Sequence, residues 1–151
     1  MVQNKVIKMT RVEFFFNVPD KFSKIVELCD KAVGKGHQLT IFTQDELISN
    51  RLKQQLWQYS ATSYLPSSQS TDSMSQFSPI VFNASGESLH QDDILINLQV
   101  EYPPFFSRFK YLVELVGEDE TDKLAARSRY RFYRDRGYEV KSTDVSAAKA
   151  V

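Results

Sequence analysis

With 151 residues, 42% of them apolar and including 11 Phe and 7 Tyr, the chain has the length of one domain and enough core material to exclude global disorder. Its 19 Lys and Arg balance 19 Asp and Glu, so overall charge does not suit a protein that coats nucleic acid non-specifically, and any electrostatic function has to come from local clustering. The single cysteine, Cys29, excludes an intramolecular disulfide and a cysteine-rich zinc site and fits a reducing compartment.

No run of about twenty apolar residues occurs, and the N-terminus lacks the apolar stretch of a signal peptide, so a cytoplasmic protein without membrane association is expected. Residues 1–8 precede a second methionine, Met9, and read as a flexible leader without an assigned function. Val12 to Phe16, bounded by Asn17 and Pro19, has the short apolar character of a buried strand. Asp20 offers a cap to a helix carrying Phe22, Ile25, Val26, Cys29 and Ala32, with Gly34 as its stop. Gln38 to Phe42 reads as a second strand, and Thr43 with Glu46 makes a capping-box pattern ahead of a helix bearing Leu47, Ile48, Leu52 and Leu56.

Gln58 to Ser78 turns polar, interrupted by Tyr64, Leu65 and Pro66, and is expected to be an extended surface loop. Strands follow at Pro79 to Phe82 and Ile94 to Leu98, then a turn at Phe105 to Phe109 and a strand at Tyr111 to Val116. Glu118, Asp119, Glu120 and Asp122 mark a helix start, where carboxylates complement the helix dipole. That helix runs from about Thr121 to Arg136, Gly137 ends it, and Tyr138 to Lys141 adds a last strand or coil before a flexible tail at 142–151. The βαβα order predicts one α/β domain over residues 9–141, a three-layer sandwich with a mostly parallel, mixed sheet and helices on both faces.

Catalytic signals do not converge. His37 and His90 are isolated, Cys29 lies on an apolar helix side, and no nucleophile-elbow, zinc-protease or paired-cysteine motif is present, so neither a catalytic residue, a metal nor a cofactor is expected. The first strand leads into Asn17-Val18-Pro19-Asp20 instead of a glycine loop, giving a Rossmann-like fold without a phosphate site.

The last helix carries the strongest functional pattern. Lys123, Arg127, Tyr130 and Arg134 follow one another at steps of four, three and four, so they share one stripe, with Arg131 beside it. Ala125, Ala126 and Tyr133 face the sheet, with the stem of Arg129 along that surface, while Phe132 is left without an assigned environment. Like charges spaced by four residues weaken a helix slightly, so an acidic ligand explains the stripe better than helix stability does. Because exposed ion pairs contribute only about 0–1 kcal/mol each, such a ligand also needs an apolar anchor, for which Tyr130 and Val116 are candidates.

Ile94-Leu-Ile-Asn-Leu, then Phe105 to Val116, then Lys123 to Arg134 with Gly137-Tyr138, together with Leu56-Trp57 and Ser63-Tyr64-Leu65-Pro66, resemble the chi subunit of bacterial DNA polymerase III, from about Met9 to Tyr138. The resemblance implies a non-catalytic adaptor of the clamp loader that meets DNA only indirectly. It implies that Val116, Lys123, Arg127 and Tyr130 hold the acidic C-terminal tail of single-stranded DNA-binding protein; Arg134 is added by helical geometry. It also implies a psi-subunit surface at Trp57, Tyr64, Leu65 and Pro66, with an iron-sulfur helicase as a further partner there. On the residues alone Trp57 reads as core, and Tyr64 stands where the family usually has Phe. Direct binding of single-stranded nucleic acid by the same helix, and a nucleotide-handling enzyme on a related fold, are the competing readings.

Overall fold

A computed structural model of the chain describes residues 9–59, 67–69 and 78–148. Arg11–Phe16 is β1, Lys21–Gly34 α1, Leu39–Phe42 β2, Glu46–Tyr59 α2, Ser67–Gln69 β3, Ile80–Asn83 β4 and Ile94–Asn97 β5. A 3-10 turn at Phe106–Arg108 leads into β6 (Tyr111–Leu115), α3 (Glu120–Asp135), β7 (Val140–Asp144) and the short α4 (Val145–Ala148). The seven strands lie in the order β3-β4-β2-β5-β6-β1-β7, and every neighbouring pair is parallel. The sheet is therefore wholly parallel among the described residues, where a mixed one was expected.

Alternation along the strands divides the core into two layers, because successive side chains of a strand point to opposite faces. Leu39, Ile41, Ile94, Ile96, Val113 and Leu115 meet Ile25, Val26 and Cys29 of α1 and Leu52 and Leu56 of α2. On the other face, Val12, Phe14, Leu95 and Leu112 meet Ala126 and Tyr133 of α3 and Phe106 and Phe109 of the 3-10 turn. Each fully buried Ile, Leu or Phe contributes roughly 1.5–3 kcal/mol relative to an exposed one. Burial on both faces accounts for strands that read as apolar runs.

Local chemistry sets the helix ends. The Asp20 carboxylate accepts the Phe22 and Ser23 amides at 3.1 and 3.4 Å and so starts α1. Gly34 is that helix's last residue, and Gly36, at φ 82°, makes the left-handed turn after it. The expected capping box of α2 is replaced: Asp45 Oδ1, one residue before the helix, accepts the Ile48 amide at 2.9 Å. Thr43 is buried instead, its hydroxyl 2.7 Å from that of Ser49.

Two segments differ from expectation at the sheet's edges. Ser67–Gln69, inside the stretch read as loop, pairs with β4 as an edge strand. The C-terminal strand continues past Lys141 to Asp144, its Ser142 opposite Phe14, so part of the expected tail belongs to the sheet. Neither segment has the apolar alternation that identifies a strand in sequence, since each has only one neighbour to pair with.

Candidate functional site

α3 is fixed to the sheet by a buried polar cluster. Glu114, inside β6 and 0% exposed, receives Arg129 Nε at 2.9 Å, the Tyr133 hydroxyl at 2.6 Å and Asn97 Nδ2 at 3.1 and 3.2 Å. Arg129 also donates to the Val100 carbonyl at 2.8 Å. Burial pushes the Glu114 carboxyl up from its ordinary range, while Arg129, Tyr133 and Asn97 pull it down. Burial and the neighbouring Glu114 charge together push the Tyr133 phenol up. The cluster escaped sequence reading, although a carboxylate inside an apolar strand and an arginine on a helix's core face together are its signal.

The N-terminus of α3 is tied down separately. Asp122 accepts the Gly117 amide at 2.6 Å and forms a 2.9 Å salt bridge with Lys21 of α1. Burial pushes the Asp122 carboxyl up, but Lys21 and the Gly117 amide outweigh it and hold it below its ordinary value.

With α3 so placed, a cavity of about 360 Å³ opens between it, β1, β7 and the end of β6. Phe14, Phe16, Val116 and Ala126 supply its apolar lining, and Tyr130 stands over Phe14 with ring centroids 5.5 Å apart. Lys123 and Arg127 line the same cavity, with Asn17 and Ser142 opposite. Lys123 has only a long contact, 3.7 Å, to the exposed Glu120, and Arg127 has no salt bridge among the described residues. The volume lies in the range of small-ligand and side-chain pockets. Two cations beside an apolar recess are suited to a carboxylate joined to a hydrophobic group.

Four of the five residues proposed for the acidic ligand, Val116, Lys123, Arg127 and Tyr130, are thus brought together. Arg134 is not: it is exposed, lies outside the cavity lining and pairs with Asp135 at 3.3 Å. An α-helix has 3.6 residues per turn, so three turns along α3 carry Arg134 past the recess even though it keeps the same stripe. Phe132 stacks on Tyr102 with centroids 3.6 Å apart and carries the Arg136 guanidinium 3.8 Å above its ring.

Trp57, at the end of α2, is 71% exposed, contrary to the core reading from residues alone. Tyr59 beside it is 50% exposed and donates its hydroxyl to Asp30 at 3.3 Å. Tyr64, Leu65 and Pro66 lie outside the described residues. No group of three His, Cys, Asp or Glu suited to a metal occurs among the described residues, and no described helix is long and apolar enough to cross a membrane.

The family profile described as "DNA polymerase III chi subunit, HolC" matches residues 9–141. The chain belongs to the DNA polymerase III chi subunit family. It is therefore a DNA replication protein. The chain is 30% identical to the DNA polymerase III subunit chi of Pseudomonas aeruginosa over 135 residues, which is 86% of this chain and 93% of that one. It is 29% identical to the subunit of Haemophilus influenzae, covering 91% of this chain and 99% of that one. For Escherichia coli K12 the figures are 27%, 76% and 78%. Among solved structures, the C-terminal domain of the DEAD-box protein Dbp5 has a similar fold, with a TM-score of 0.63, 12% identity and coverage of 94% of this chain and 93% of that one. At that identity the likeness extends to the fold of this chi-family chain and not to its activity.

Proposed function

We propose that this chi-family chain is the adaptor that joins the clamp-loader complex, through the psi subunit, to the acidic C-terminal tail of single-stranded DNA-binding protein. The observation that carries the reading is the cavity where Lys123 and Arg127 flank the apolar recess of Val116, Phe14 and Tyr130. Lys123 and Arg127 receive the tail's carboxylates, and the recess receives its terminal apolar side chain. Arg134, set apart from the recess, contributes through long-range charge only. The exposed Trp57 on α2 supports a second surface for psi, where an iron-sulfur helicase would compete. Its distance from α3, across the opposite face of the sheet, lets both partners bind together.

Fluorescence anisotropy with a tail peptide tests the first site. Binding of micromolar strength is expected, weakening with salt and falling about tenfold or more in Arg127→Ala and Tyr130→Ala, a loss of about 1.4 kcal/mol or more. Arg134→Ala changes it by no more than about threefold, the effect of a screened charge. Undiminished binding in both Arg127→Ala and Tyr130→Ala refutes the site, and tight binding of a bare oligonucleotide favours direct nucleic-acid recognition instead. Retention of psi by Trp57→Ala in a pull-down refutes the second surface.

A further inference from the structure

A second recess lies on the other side of the sheet, at the amino ends of the strands. Its volume is about 340 Å³, and Leu28 of α1 with Ile94 and Tyr111 forms an apolar floor. Arg11, Lys31, Lys35 and Lys110 stand around it. Only Lys31 has a carboxylate partner, Glu27 at 3.3 Å; Arg11, Lys35 and Lys110 have none among the described residues.

Helix-dipole chemistry explains part of this set, since Lys31 and Lys35 lie at the C-terminal end of α1. It does not explain Arg11 and Lys110. These two are adjacent across β1 and the start of β6, where the Arg11 amide donates to the Lys110 carbonyl at 3.0 Å. Neighbouring like charges on paired strands oppose folding. The same two residues line a further, larger depression with Met9, Thr10, Gly137 and Glu139, so the recess continues as a trough along the lower edge of the sheet.

We infer that this trough is a second binding site, for an extended acidic peptide that places an apolar side chain on the Leu28 floor. Charge complementarity selects the acid, and the apolar floor selects the apolar residue. Single-stranded nucleic acid fits less well, because it needs an accessible aromatic face for its bases. The aromatic at this site, Tyr111, is half-buried, with Arg11 5.3 Å from its ring centroid and its hydroxyl on Glu13. The carboxylate of Asp93 also stands on the rim, where it is already engaged, accepting the Gln38 amide at 3.0 Å and lying 3.0 Å from His37 Nδ1.

The test is a nitrogen-15 NMR titration of the full chain with a short peptide in which aspartates flank two leucines. Its C-terminus is amidated so that no terminal carboxylate competes for the α3 cavity. Amide shifts centred on Leu28, Lys35, Ile94 and Tyr111 are expected. Affinity should fall at least about tenfold in a Lys35→Glu, Lys110→Glu double variant with an unchanged melting curve. Arg11→Gln, a milder change, should weaken binding about threefold, whereas Arg127→Ala should leave it unaltered. Shifts confined to the α3 cavity, no shifts, or a response to oligothymidylate with the peptide silent would overturn the proposal. Because Arg127→Ala reports on the α3 cavity alone, failure of either site is seen separately.

Discussion

Arg129→Met isolates the buried contact that seats α3. The substitution keeps an unbranched side chain of similar reach but removes the guanidinium held at 2.9 Å by Glu114 and at 2.8 Å by the Val100 carbonyl. Glu114 is then fully buried with two neutral donors, Tyr133 and Asn97, and no counter-charge within its hydrogen-bonding shell. Removing one member of a buried pair costs about 3–5 kcal/mol. For a domain of this length each kcal/mol lowers Tm by about 2–4 °C, so a fall of roughly 6–20 °C is expected in thermal unfolding followed by circular dichroism.

The deficit has a pH signature. Burial already pushes the Glu114 carboxyl up, and without Arg129 its folded value rises further above the unfolded one. Stability from such a group is full below the unfolded value and is lost as pH rises through the folded value. Arg129→Met should therefore lose more stability, relative to the parent, at about pH 8 than at about pH 5. In a double-mutant cycle with Glu114→Gln, the combined loss should be less than the sum of the two single losses. A deficit below about 1 kcal/mol, or one that shrinks as pH rises, refutes an ionised Glu114–Arg129 pair.

Asp122→Asn should cost about 1–2 kcal/mol at neutral pH by weakening the links to Lys21 and the Gly117 amide, read as a lower urea midpoint. Since the Asp122 carboxyl is held below its ordinary value, its stabilisation is present above the unfolded value and lost as pH falls through the folded one; the variant should show a flatter acid limb. Asp20→Ala removes the acceptor for the Phe22 and Ser23 amides and should cost about 1 kcal/mol, with an unchanged midpoint as the contrary result. Cys29 is 0% exposed and burial pushes its thiol up to about 12. Alkylation by iodoacetamide should be at least about a hundredfold slower in the folded chain than in urea, and equal rates would show that α1 opens readily.

Periodicity revealed every element whose side chains repeat against a core. The apolar stripe of α1 reports directly which face is buried, and β1 and β5 show as short apolar runs because both of their faces are covered. β3 and the end of β7 stayed hidden because an edge strand is held by main-chain bonds, which Ser67–Gln69 makes as well as an apolar run does. The same distinction divides the candidate site. Spacing on one helix placed Lys123, Arg127 and Tyr130 together, and it also enrolled Arg134, because a stripe has no end in sequence whereas the cavity reaches only to Tyr130 along α3. Glu114 required knowledge of two elements at once, since only the packing of β6 on α3 brings it to Arg129.

The position of the cavity follows from what happens where β1 and β6 lie side by side. The connection after β1 enters α1 on one face of the sheet, and the connection after β6 enters α3 on the other. In doubly wound folds, such a divergence opens a crevice beyond the carboxyl ends of the strands, where ligands commonly bind. Here the chain fills it. Val18 is 2% exposed and donates its amide to the Val116 carbonyl at 3.0 Å, and Lys21 and Asp122 join the two helices across the gap. The helix-end amides that attract phosphate elsewhere are engaged as well, those of Phe22 and Ser23 by the Asp20 carboxylate. With the crevice closed and its anion-attracting end already met by a carboxylate, the remaining recess lies along the flank of α3. There the attraction for an acid comes from the side chains of Lys123 and Arg127. A fold that elsewhere presents backbone amides to a phosphate thus presents cations beside an apolar floor, a surface suited to a peptide carboxylate.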